Sequence, residues 1–64
     1  MNPSIQHVLK FFAFGRLPPH LQTVSRPFSE LAYQVAERAD NPETTVALRK
    51  LLEAKDAAVR AILP

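Results

Sequence analysis

The chain has no cysteine and no tryptophan, a single glycine at position 15, and only two histidines, His7 and His20, thirteen positions apart. Without cysteine neither a disulfide framework nor a thiolate zinc site can form, and a reducing compartment, the cytoplasm, is the expected location. No stretch approaches the roughly 18 consecutive apolar residues of a membrane span. No basic segment precedes the apolar part of "MNPSIQHVLKFFAFGR", so a soluble chain that keeps its start methionine is expected. Acids are absent from the first 29 positions, which carry Lys10, Arg16 and Arg26 before Glu30 appears. Within a formal net charge of only +2, that asymmetry points to an anionic partner for the front of the chain rather than to a nucleic-acid coat.

Catalytic signatures are missing as well. There is no Ser-His-Asp set that spacing favours, no glycine-rich phosphate loop, no HExxH and no histidine pair at ligand spacing. Glu30, Glu37, Asp40, Glu43, Glu53 and Asp56 lie where helical surfaces carry acids. The expectation is a protein that is not an enzyme and holds no metal or cofactor. A chain of 64 residues makes one domain at most, and a domain of that size buries roughly 60% of the surface its unfolded chain exposes. With disulfides and metals excluded, oligomerisation is the route to added stability that stays open.

What is present is helix signal. In "NPSIQHVLKFF" Asn2 can cap and Pro3 can take the first helical position, with Ile5, Val8, Leu9 and Phe12 on one face. "FGRLPPH" then breaks the pattern: Gly15 permits a positive φ, and Pro18 pushes Leu17 toward extended backbone. Further on, Pro27 cannot donate to a helical ladder, so the chain either bends there or starts a fresh helix capped by Ser25. The fresh start is favoured, with Phe28, Leu31, Ala32 and Val35 as its buried stripe. "RADNPETT" announces the last helix through Asn41 as cap, Pro42 at the first position and Glu43 near the positive end of the dipole.

The predicted fold is therefore all-α: residues 1–16 a short N-terminal helix or arm, 17–40 the first hairpin segment and 41–63 the second hairpin helix, within one domain. On the last helix Leu48, Leu52, Val59 and Ile62 share a stripe, and beside it runs a row of small residues, Ala47, Ala54, Ala58 and Ala61. That row is a second face to bury, either under a neighbouring subunit or under the N-terminal arm.

Six residues are candidates for a ligand site. Lys55 falls in the middle of the leucine stripe; its stem can lie over the leucines with the charge in water or paired with an acid such as Glu30, or its ammonium can meet a phosphate. Arg60 lies four residues beyond Asp56, so it can pair there or serve the same anion. The loop "FAFGRLPPHLQ" gathers Phe14, Arg16 and His20, a stacking surface with cationic and donor groups, though its phenylalanines can equally be core. Arg26, just before Pro27, is expected near a helix N-terminus, a favourable place for an anion.

The order Pro18-Pro19, "HLQ", "PFSELA" and "NPETTVALRKLLEAKDAAVRA" resembles the small phage signal sponges, the hairpin family of anti-CBASS and anti-Thoeris proteins. The likeness runs from about Phe12 to Ala61 and is most specific in "ETTVALRKLLEAKDAAVRA". It implies a non-enzymatic helical hairpin in the cytoplasm of an infected host cell, with dimers assembling to a hexamer. Members of that family bind cyclic di- or trinucleotides or cyclic ADP-ribose isomers between protomers, by aromatic stacking on the base and Lys or Arg on the phosphates. By the resemblance, Phe14 and His20 match the aromatic, histidine and proline region that opens the first hairpin helix, and Lys55 and Arg60 match basic positions of the second. The chain departs from many relatives in offering Phe28 and Ala57 where they carry a tyrosine and a tryptophan, which removes or moves one stacking surface. The alternative reading is a small DNA- or protein-binding helical adaptor, motivated by the acid-free front.

Overall fold

The computed structural model describes residues 1–64. Three helices carry the fold: α1 over Pro3–Leu9, continued by a 3-10 turn over Lys10–Phe12, then α2 over Pro19–Arg38 and α3 over Pro42–Ala61. Two of the starts use the same local device. Asn2 Oδ1 accepts the Ile5 N–H at 2.9 Å, and Asn41 Oδ1 accepts the Thr44 N–H at 3.1 Å. Each asparagine satisfies an orphan donor of the first turn, and the following proline has no N–H to waste.

The short connection over residues 39–41 folds α3 back along α2, and α1 lies in the groove that the pair leaves on one side. Ile5, Val8, Leu9 and Phe12 of that first segment meet Ala32 and Ala36 of α2 and Leu48 of α3 in one core cluster. Polar contacts hold the start of α1 against the hairpin turn: the Asn2 side-chain amide donates to Asp40, and the Met1 amino group lies 3.9 Å from the same carboxylate. The Thr44 hydroxyl closes the turn by donating to the Ala39 carbonyl at 3.0 Å.

Several expectations are corrected. α2 runs without interruption through Pro27, so Ser25 is not a cap and no new helix begins there. The helix survives because α1 and α3 hold its flanks, while the proline ring sits on the exposed side and costs one ladder bond to the Thr23 carbonyl. The buried line of α2 is Ser25, Ser29, Ala32 and Ala36, whereas Leu31 is 46% exposed and Phe28 and Val35 only half-buried. Where three helices meet, small side chains let the axes approach, and the larger ones move to the flank.

Gly15 has no positive φ, and a Cβ built there meets nothing within 4 Å, so the loop does not need its glycine. Ile62 lies past the end of α3 and is 45% exposed rather than part of the buried stripe. The alanine row stays open: Ala47, Ala54 and Ala61 are exposed and Ala58 half-buried, so the N-terminal segment does not cover it.

Candidate functional site

The antiparallel hairpin carries the N-terminal half of α2 beside the C-terminal half of α3, at the end away from the turn. The loop over residues 13–18 joins the same end. It is held by Gln22, whose side-chain amide donates to the Leu17 carbonyl at 2.7 Å and reaches the Gly15 carbonyl at 3.4 Å. The Leu17 N–H in turn donates to the Phe14 carbonyl at 3.1 Å. Two loop carbonyls with no helical partner are thereby satisfied from the second turn of α2.

This clamp positions Phe14. Its half-buried ring receives the Arg26 guanidinium at 5.3 Å from the centroid, within cation–π range. Arg16 lies two residues further on, exposed in the turn, and His20 is exposed in the first turn of α2. Because α2 is continuous, Arg26 stands in mid-helix and not at a helix N-terminus; its place beside the aromatic ring comes from the folding-back of the loop. Phe14 is thus neither fully core nor free, whereas Phe12 is core and Phe11 is 53% exposed, its ring edge-on to His7 at 5.4 Å.

On α3 the Lys55 side chain is only 14% exposed, its stem lying along the buried stripe, and its Nζ reaches the Asp56 carboxylate at 2.8 Å. The partner is therefore the adjacent acid and not Glu30. Arg60, which spacing offered to Asp56, has no carboxylate within ion-pair distance and remains exposed in the last turn. The structure brings Phe14 and Arg26 together; Arg16 and His20 stand exposed on the adjoining turn and at the start of α2, and Lys55 and Arg60 lie in the C-terminal half of α3, at the same end of the hairpin. Sequence reasoning missed Gln22 and gave Asp56 to Arg60 instead of Lys55. A glutamine one turn into a helix that follows two prolines is a weak signal, and adjacent residues do not face each other on a helix, so the acid expected for Lys55 was Glu30.

None of the surface clefts of the single chain is lined by these residues. A cleft of about 440 Å³ lies between α2 and α3 near the turn, one of about 520 Å³ lies between the starts of α1 and α3, and one of about 430 Å³ lies on α3 alone. No group of three or more His, Asp or Glu side chains gathers where a metal ion could sit, and no helix is long and apolar enough to cross a membrane. What the arrangement offers chemically is an aromatic ring capped by one guanidinium, a pairing that stacking of a planar group could replace. Comparison with known protein families, with curated proteins and with solved structures finds no match.

Proposed function

We propose that the chain is a non-enzymatic sponge: it captures a cyclic nucleotide immune signal, a cyclic di- or trinucleotide or a cyclic ADP-ribose isomer, and keeps it from its effector in the cytoplasm of an infected cell. The observation that carries this reading is the Phe14 ring under the Arg26 guanidinium at 5.3 Å, with Arg16 exposed two residues further along the same turn. A base stacks in the place the guanidinium now occupies, and the displaced Arg26 turns to a phosphate; Arg16 and Arg60 supply further positive charge at that end, and Lys55 joins them on exchanging Asp56 for a phosphate. The site is an open surface in one chain, so enclosing a ligand calls for a second protomer, and the reading includes a homo-oligomer.

The test is isothermal titration against a panel of cyclic di- and trinucleotides and cyclic ADP-ribose isomers, with Arg26→Ala and Phe14→Ala alongside. Binding by the wild type that falls at least tenfold in both variants, with unchanged far-UV circular dichroism, is the expected result. No heat with any member overturns it. Duplex DNA binding with a steep salt slope would instead favour the adaptor reading, for which the exposed Lys10, Arg16 and Arg26 supply the phosphate contacts.

A further inference from the structure

The face of the α2–α3 hairpin opposite α1 has two unlike halves. On α2, Val24, Phe28, Leu31 and Val35 form a raised apolar ridge, half-buried except for Leu31 at 46% exposure. On α3, the alanine row over positions 47, 54, 58 and 61 forms a furrow. Near the turn the two are separated by the cleft of about 440 Å³, whose lining includes Leu31, Val35 and Ala47 and, at its rim, Arg38 and Glu43. Neither Arg38 nor Glu43 has an opposite charge within 4.0 Å in the single chain.

We propose that this face binds a second copy of the chain about a two-fold axis parallel to the helices, so that the α2 ridge of each copy seats on the α3 alanine furrow of the other. A ridge beside a furrow is self-complementary under that operation, and both halves are satisfied at once. The same operation brings the two turns to one end. Arg38, near the end of α2, then stands over Glu43, near the start of α3, of the second copy, and the pairing occurs twice. The other face-to-face two-fold, with its axis across the helices, stacks ridge on ridge and carries each Arg38 to the end far from the second copy's Glu43. Shape and charge select the same arrangement.

Area agrees. The molecule measures 37 × 18 × 15 Å, so the outline of its broad face is about 670 Å² and full overlap of two such outlines corresponds to about 1,300 Å² in total. That falls in the range of specific interfaces, about 1,200–2,000 Å². An end-on contact, at about 270 Å² per copy, falls far short. The inference rests on the oligomeric part of the function proposed above and on nothing about the ligand.

The experiment is sedimentation velocity on the full chain, with circular dichroism as a check of folding. Wild type is expected at twice 7.2 kDa, and Ala54→Glu and Leu31→Asp, both at exposed positions, are each expected to raise the dimer Kd at least tenfold. Arg38→Glu and Glu43→Arg should each weaken self-association, and an equimolar mixture of the two should restore a dimer, because the mixed pair has two opposite-charge contacts. A wild-type monomer overturns the proposal, as does a dimer indifferent to Ala54→Glu and Leu31→Asp. A mixture no tighter than its components overturns the orientation. A dimer that ignores every cyclic nucleotide supports this interface while removing the ligand reading, so the two fail separately.

Discussion

Replacing Lys55 by methionine separates what its stem does from what its charge does. The side chain is 14% exposed, so its methylenes are largely withdrawn from water, while the Asp56 carboxylate it meets is 46% exposed. A pair with one well-solvated partner contributes only about 0–1 kcal/mol. Methionine keeps nearly the same length and apolar stem and removes the need to hold an ammonium beside leucines, so Lys55→Met should leave stability unchanged or raise it by up to about 1 kcal/mol. Lys55→Ala deletes the methylenes beyond Cβ, at about 0.8 kcal/mol for each buried CH₂, and should cost about 2 kcal/mol. For a domain of this size that is a fall in Tm of about 8–16 °C. Thermal and urea unfolding of both variants at one protein concentration, followed by circular dichroism, reads the difference directly. If methionine destabilised as much as alanine, the ammonium itself would be holding the fold and the reasoning would be refuted. In the proposed function the same Lys55→Met protein should bind cyclic nucleotide more weakly although it is no less stable.

Three further outcomes follow from the helices. Pro27→Ala restores an N–H opposite the Thr23 carbonyl in an exposed stretch of α2; the interior-proline penalty of about 3 kcal/mol, less about 0.4–1 kcal/mol of lost unfolded-state restraint, should raise stability by about 2 kcal/mol, seen as a higher urea midpoint with the same m-value. The Ser25 hydroxyl is buried with no hydrogen-bond partner, so Ser25→Ala should stabilise by about 1 kcal/mol; a loss of stability in the same melt would show that the hydroxyl is in fact satisfied. Asn41→Ala removes the side-chain acceptor of the Thr44 N–H, leaving it only the Asn41 carbonyl at 3.1 Å, and should cost about 1 kcal/mol, with faster hydrogen exchange confined to the first turn of α3 as the local signature.

The residues that sequence reasoning placed well are those whose interactions close within four positions. Asn2 with Pro3 and Asn41 with Pro42 start their helices through bonds to residues three further on, and Ile5, Val8, Leu9 and Phe12 share a face by helical geometry alone. Such contacts form whatever the rest of the chain does. The candidate site was legible only as a set of residue types. That Phe14 would lie against Arg26 depends on a loop turned back by Gln22, a juxtaposition across twelve positions that no periodicity encodes.

The sequence by itself therefore determined that the chain is helical, that it holds no disulfide, and where α1 and α3 begin. Only the tertiary structure decided that α2 continues through Pro27, that its small residues and not Leu31 face inward, and that the alanine row is left open. The first group is governed by covalent composition and by energies local to one helical turn. The second is governed by which side chains from distant parts of the chain compete for one buried volume. The cost of a proline, a displaced leucine or an exposed alanine row is weighed there against packing that exists only once all three helices have met.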